Sequence, residues 1–358
     1  MVKKPGRCAD GDWLELRSVL PEGWQEAARV SGAIRINKGP LADPEVLLRN
    51  VLGHVASGQS LRQTAGVARN AGLVDVSDVA LLKRLSNCAN WFEWIVGSLL
   101  DRPLKDLPNA PYRLRLVDAT CVSKPANVGT DFRVHTAISL PDRSFTQVVL
   151  TDKHGAESLD RFPLDPGDIV VADRAYGLAG PIERVVDAHA HIVARVNISS
   201  LPLYRRDKSR INLLEEARQL QPETSRELEV CVRLPKGEWT FGRLCIHALS
   251  EDQALKAQRK VKRKKARKQE RGTLAIEAAR YVIIFTNLPS AMVTCEEVFA
   301  IYRMRWQIEL AFKTLKQIAG LGKLPHKLDE PARAWILAKV ICALLLQRLA
   351  ARHEAFPP

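Results

Sequence analysis

Apolar residues recur at helical spacing over the first hundred positions and change to strand-like runs after position 112. Leu47, Val51, Val55 and the segment Leu61–Ala65 share the helical period. Ser60 is placed to cap the helix that follows it and Gly72 to end it, and Ser77 can cap a second helix through Leu85. Two helices with a Gly-containing turn between them, the second carrying Lys83 and Arg84, suit a helix-turn-helix and equally a plain helical hairpin. Tyr112–Val122 alternates and then runs apolar, and Phe132–Leu140 and Phe145–Thr151 read as two further strands joined across Pro141-Asp142-Arg143. A short helix fits Glu157–Phe162. The continuous run Asp168–Asp173 predicts a strand buried on both faces, followed by a helix over Leu178–Ala188 and a strand over His191–Val196. Three strands, helix, strand, helix, strand is the order of a mixed sheet with helices on both faces, an α/β fold.

Alternating segments at Leu228–Leu234 and Trp239–His247 interrupt that pattern before the chain returns to it at Tyr281–Asn287. One long helix is expected from Cys295 past Lys316, and another from Glu330 to about Arg352. The predicted organisation is a helical, helix-turn-helix-like N-terminal domain (1–105), the first part of an α/β core (106–198), an inserted β-rich subdomain (199–280), and the second part of the core with C-terminal helices (281–358).

Charge adds a partner. The 358 residues hold 54 Lys+Arg against 40 Asp+Glu, a net charge of +14. Nine Lys/Arg and one acid lie between Arg259 and Arg271, giving +8 of that total. Such a run attracts phosphate whether it is a solvated helix or a loop. It lacks the interleaved aromatic and Leu residues that insert into lipid, so nucleic acid is the expected partner rather than a membrane. No apolar stretch follows Met1-Val2-Lys3-Lys4, and the run Trp335–Leu346 is too short to span a bilayer. Seven cysteines without a C-x-x-C exclude a zinc ribbon or disulfide scaffold, and the expected location is the cytosol.

Candidate chemistry concentrates on the helix from Val298 to Ala319. At about 100° per residue, with Tyr302 at zero, Arg305, Glu309 and Lys316 fall at about 300°, 340° and 320°, one stripe about 60° wide. Ile301, Met304, Ile308, Ala311 and Leu315 form the opposite, buried face. Alone, the stripe is equally a row of surface ion pairs, since Arg305 and Glu309 are spaced i,i+4. Asp118 and Asp173 shift that balance. Each ends or interrupts an apolar strand, and carboxylates are seldom buried without a cation. Two on adjacent strands repel unless a cation lies between them. A divalent ion resolves the conflict, and Glu309 completes an oxygen-ligand set suited to Mg²⁺ or Mn²⁺.

Tyr302-x2-Arg305-x3-Glu309-x6-Lys316 resembles the Tyr-Arg-Glu-Lys signature of DDE transposases of bacterial insertion sequences, in the insertion-sequence-four family. Leu116-Val-Asp118-Ala-Thr and Val170-Val-Ala-Asp173-Arg-Ala-Tyr-Gly177 resemble its two catalytic aspartate segments, and the likeness runs from about residue 45 to 350. The resemblance implies an RNase H-like core. The 136 residues from Asp173 to Glu309 then contain an insertion, in agreement with the separate reading of 199–280. It further implies catalytic Asp118, Asp173 and Glu309 holding two Mg²⁺ (or Mn²⁺) ions, with Tyr302, Arg305 and Lys316 gripping DNA phosphates. Cut-and-paste transposition on terminal inverted repeats and target DNA, by a homodimer in the bacterial cytoplasm at the nucleoid, completes the implied picture. Relatives often carry a further C-terminal stretch beyond the point where Pro358 ends this chain. A repurposed DNA-binding protein without catalysis and a structure-specific nuclease on the same core are the competing readings.

Other residues carry blander expectations. His154 and Glu157, in the loop after the third strand, could approach the active site, though Glu157 reads more readily as a helix-capping acid; Asp131, Asp152 and Asp168 read as turn acids, and Trp91 and Trp94 as core. His189 and His191 lack a third metal ligand. Trp239 or Tyr281 could stack on a flipped base, and Trp306 could buttress Arg305 or touch DNA.

Overall fold

The structure, a computed structural model, describes residues 7–35, 38–100, 113–127, 129–140, 144–265, 273–317 and 324–354. Six helices come first: α1 (Arg7–Ser18), α2 (Trp24–Val30), α3 (Pro44–Ser57), α4 (Leu61–Asn70), α5 (Asp78–Ser86) and α6 (Ala89–Leu100). Ser60 caps α4 in a capping box with Gln63, Gly72 adopts the left-handed conformation (φ 67°) beyond it, and Ser77 accepts from Ala80 N–H at the start of α5.

The sheet comes next. β1 (Arg113–Val122), β2 (Phe132–Leu140) and β3 (Phe145–Asp152) form an antiparallel meander. The predicted turn at 141–143 between β2 and β3 lies outside the described residues. β4 (Asp168–Ala172) joins β1 in parallel, and β5 (His191–Arg195) joins β4 in parallel after the crossover helix α7 (Ala179–Asp187). This order fits an RNase H-like core. The stretch 199–280 supplies α8 (Leu213–Arg218), the hairpin β6 (Ser225–Arg233) and β7 (Trp239–Ala248), and helices α9 (Glu251–Lys265) and α10 (Thr273–Ala278). Its hairpin extends the main sheet, because β7 pairs antiparallel with β8 (Tyr281–Thr286) and β8 with β5. The result is one eight-stranded sheet in the order β3-β2-β1-β4-β5-β8-β7-β6.

Strand alternation divides the apolar residues into two cores. Leu116 and Val171 face one core with α1–α6, α11 (Cys295–Arg303), α12 (Trp306–Gln317) and α13 (Asp329–Glu354). Val117 and Ala172 face the other, with α7, α8 and a single 3₁₀ turn at Leu159–Arg161. Helices α3, α5 and α6 pack on α13. Inside this layer Lys339 of α13 is 4% exposed, its ammonium donating to the Val55 carbonyl at the last turn of α3.

Three expectations need correction. The long helix over Tyr302–Lys316 is broken: Met304 and Arg305 bond back three residues to the Ile301 and Tyr302 carbonyls, as do Gln307 and Ile308 to Met304 and Arg305. That tightened turn rotates α12 relative to the face that α11 presents. Ile308 and Phe312 are buried as a result, whereas Met304, expected inside, is 40% exposed. Asp168 is more than a turn acid: its carboxylate does accept from Asp165 N–H in the turn before β4, at 2.9 Å. It opens an all-buried strand in register with Arg113, and its carboxylate is held 2.8 Å from Arg115 Nε and 3.1 Å from Arg113 Nε. Trp91 is core, but Trp94, three residues along α6, faces outward.

Candidate active site

The parallel pairing of β1 with β4 ends at Leu116 and Val171, so Asp118 and Asp173 stand two residues beyond, side by side where that pairing stops, Asp118 within β1 and Asp173 directly after β4. Ligand sites of open α/β sheets lie at such strand ends. Asp118 Oδ1 accepts from Ala119 N–H at 2.8 Å. Asp173 comes directly after β4, and its side chain accepts from Ala175 N–H at 2.8 Å while its carbonyl accepts from Tyr176 N–H. The backbone thus orients both carboxylates, and at Asp118 an arginine adds a longer ion pair. Burial pushes the Asp118 carboxyl up to about 6, and the charges of Asp173 and Glu157 add to that, against the pull of Ala119 N–H and Arg305.

The broken helix meets this pair from the first core. The α11–α12 break places Arg305 over Asp118, Nη1 to Oδ2 3.6 Å, while Nη2 donates to Glu309 Oε1 at 2.5 Å. One guanidinium therefore links the first aspartate to the expected third carboxylate. Tyr302 is beside them, its ring centroid 5.7 Å from the Arg305 guanidinium carbon. Lys316 falls on the last turn of α12, and its side chain lies outside the described residues.

The fold adds residues that spacing in the sequence did not point to. Arg195, ending β5, makes a side-chain hydrogen bond to Tyr302 and feels Arg174 and Arg305; burial, with these like charges, holds its guanidinium below the usual arginine range. A cationic wall of Arg174, Arg195 and Arg305 thus borders the aspartates. On the opposite side, Glu157 bears on both Asp118 and Asp173 and is no helix cap. Burial raises its carboxyl, and the Asp173 charge raises it further. The Tyr176 hydroxyl, fully buried, has no hydrogen-bond partner and feels Glu157, Asp118 and Asp173. Tyr176 shares a turn with Asp173, and the sheet topology brings Asp118 and Glu157 to them; the sequence cue for Glu157 was its place in the loop after the third strand.

Chemically the site offers carboxylate oxygen donors, those of Asp118 and Glu309 shared with Arg305, and an orphaned buried hydroxyl. That donor set fits a hard divalent cation. Among the described residues, no three of these carboxylates lie within 4.8 Å of one another. Their like charges disfavour a closer approach, and a cation is what would draw them in. The group of three that does lie that close is Glu227, Cys245 and Cys295. There Glu227 is engaged by Arg243 at 2.9 Å, and burial raises both thiols away from the thiolate form a metal requires.

Beyond the site, α9 is an exposed basic helix, touching the core through Ala254. The remainder of the basic run, 266–272, lies outside the described residues. No helix of the described residues is long and apolar enough to cross a membrane.

Comparison with known proteins agrees with this geometry. The family model described as Transposase DDE domain matches residues 109–346. The chain is 33% identical over 347 residues to a protein named as transposase InsL of insertion sequence element IS186A from Escherichia coli (strain K12), covering 94% of this chain and 93% of that one. It is equally 33% identical over 348 residues to the transposase of insertion sequence element IS421 from Escherichia coli, with the same coverage. In three dimensions it resembles the piggyBac transposase in a synaptic complex with hairpin DNA, with a TM-score of 0.51 over 95% of this chain and 73% of that one, at 8% identity. DDE transposases as a group depend on divalent metal ions. Residues 109–346 enclose both aspartates, the broken helix and the whole eight-stranded sheet, and the chain belongs to the DDE transposases of bacterial insertion sequences.

Proposed function

We propose that the chain is a DNA transposase of the insertion-sequence-four group, with the Tyr302, Arg305, Glu309 and Lys316 signature, that cuts the ends of its element and joins them to target DNA. The observation that carries this reading is the placement of Asp118 and Asp173 side by side just past the paired stretch of parallel β1 and β4, with Asp118 bridged to Glu309 through Arg305. Asp118, Asp173 and Glu309 would hold Mg²⁺ or Mn²⁺, two ions by the family resemblance. Bound there, the metal supplies activation of the attacking oxygen and stabilisation of the leaving one. In the first step water adds to phosphorus at the element's end, the P–O3′ bond breaks, and a 3′-hydroxyl is freed. In the second, that hydroxyl adds to a target phosphorus as the target's P–O3′ bond breaks, so the number of phosphodiester bonds is conserved.

The chain's own groups orient these steps. Arg305, Tyr302 and Lys316 would grip non-bridging phosphate oxygens near the cut, with Arg195 and Arg174 raising the local potential. Helix α9 and the α4–α5 pair offer surfaces for the flanking duplex, and the overall charge of +14 favours it. Joining two ends takes two active sites, so the working form is a homodimer on DNA.

The test is cleavage and joining of a labelled duplex bearing the element's terminal repeat, with Mg²⁺ or EDTA, comparing the wild type with Asp118→Ala. Metal-dependent nicking and a joined product, both absent in the variant, are expected. Binding without cleavage by either protein would instead identify a DNA-binding descendant, and cleavage without joining a nuclease.

A further inference from the structure

Glu157 is the acid near this site that the signature does not include. The chain on either side of it is anchored. At Gly155 the backbone passes so close to β3 that an added Cβ would meet Thr151 Oγ1 at 2.1 Å, and the Gly155 carbonyl accepts from Arg133 Nη1 at 2.6 Å. At Leu159, 1% exposed, it enters the second core, which also holds the ring of Tyr176. A side chain between two such anchors cannot drift far. Among the described residues no hydrogen bond or ion pair reaches Glu157, although Arg133 is near enough to act on its charge.

Half-buried carboxylates usually have a cation or hydrogen-bond donors, and this one faces two more carboxylates instead. The second, independent feature is the phenol. Tyr176 is 0% exposed, and its hydroxyl has no partner although a buried hydroxyl ordinarily has one. A donor kept dry and unpaired among three acids is placed to orient one of them once a cation has drawn it inward.

We propose that Glu157 is a fourth metal-holding carboxylate of the active site, approaching from the face opposite Arg305 and Glu309, and that the Tyr176 hydroxyl positions it by donating a hydrogen bond to it. The inference rests on the reading of Asp118 and Asp173 as metal ligands. It makes the site two-sided: Glu309 enters from the first core with α12, Glu157 from the second core ahead of the 3₁₀ turn, and the aspartates lie between. Two divalent ions bring +4, and four carboxylates balance that charge before any phosphate arrives, which three do not. Glu157 would thereby let the protein bind metal in the absence of DNA.

The experiment measures Mn²⁺ binding to the full-length, DNA-free chain by electron paramagnetic resonance of free and bound Mn²⁺, with thermal melts as the folding control. Wild type is compared with Glu157→Gln, Tyr176→Phe, Asp118→Asn and, as a distant exposed control, Glu238→Gln. Glu157→Gln is expected to lower affinity at least tenfold or to lose one bound ion. Tyr176→Phe, which removes only a hydroxyl, is expected to lower affinity about threefold and to change the line shape of the bound ion. If Glu157→Gln does not fold, Glu157→Asp, which keeps the charge but shortens the reach, should show the same loss. Wild-type affinity and stoichiometry in Glu157→Gln, alongside loss in Asp118→Asn, would overturn the inference and leave the transposase reading standing. Wild-type binding in Asp118→Asn as well would overturn the metal-site reading itself.

Discussion

Arg305 Nη1 stands 3.6 Å from Asp118 Oδ2 while the same guanidinium holds Glu309, so one side chain occupies the position from which a divalent ion would bind both acids. By the proposed function it competes with metal in the free protein and turns to a phosphate when DNA and metal arrive. Arg305→Ala should therefore have opposite effects on two measurements. At an effective dielectric constant of about 20, a unit charge at this separation is worth about 4 kcal/mol before screening. Removing it should tighten Mn²⁺ binding by the DNA-free chain about tenfold. Cleavage should fall by about a hundredfold, the usual effect of deleting one preorganised donor at a reacting oxyanion. Titration and single-turnover cleavage check the two halves, and weaker metal binding in the variant would refute the competition.

Asp118 illustrates a cost of function. Its folded carboxyl is raised to about 6 from an ordinary value of 3.8, so above pH 6 its ionised form destabilises the metal-free protein. Two pKa units correspond to about 3 kcal/mol. Asp118→Asn should abolish cleavage yet raise the melting temperature at pH 8 by about 5 °C in EDTA. The sign fixes the pH window. The gain should shrink as pH falls through 6 and vanish below about 3.8, where wild-type Asp118 is protonated in both states. A lower melting temperature for the variant at pH 8 would show that the carboxylate is structurally required.

Gly177 sets the distance between the second aspartate and β5. A Cβ there would lie 2.3 Å from the Arg195 carbonyl, and Arg195 is tied into the sheet opposite Ile284. Gly177→Ala should cost about 1–3 kcal/mol by overpacking and push the Asp173–Gly177 turn outward. Gly180→Ala, with no atom within 4 Å of the added Cβ in the first turn of α7, should be neutral or slightly stabilising. Urea denaturation of the pair separates close packing from a general intolerance of side chains in this segment.

These contacts mark where the sequence was legible. The meander and the buried run before Asp173 are local patterns of period two and of continuous burial, and β1 to β5 obey them. The two aspartates could be picked out because each breaks an apolar run. The helix break at Met304–Arg305 carries no Pro or Gly, so periodicity alone extended the helix through it. Asp168 looked like a turn acid because Arg113 and Arg115 are more than fifty residues away in sequence. Glu157 reads as a cap in the sequence, and Arg195 escaped notice, for the same reason: which acids and cations meet at the sheet depends on strand order, and local spacing does not encode it.

Buried histidines govern the acid limit of stability. His326 is brought down to about 4 by burial and then by its neighbour His54, whose ring centroid is 6.0 Å away; burial lowers His54 too, and Lys339 adds to that. Both Nε2 atoms are buried without a partner, so neither imidazolium would find an acceptor. His135 is likewise brought down to about 4 by burial and by Arg161 and Arg133. Each folded value lies below the unfolded value of 6.5, so the unfolded chain takes up protons first. The stability these groups confer is complete above about pH 6.5 and is lost as pH falls toward about 4. Asp118, Glu157 and Asp168, raised in the fold, oppose the loss, while His191, also lowered by burial, adds to it, so four histidines stand against three carboxyls. The melting temperature should therefore fall steadily between about pH 6.5 and 4. His326→Leu keeps the apolar volume and deletes the proton site, so it should match the wild type at about pH 7.5 and exceed it at about pH 4.5. Parallel wild-type and variant melting curves across that range would mean that the acid limit lies elsewhere, in the carboxylates that pair with arginine.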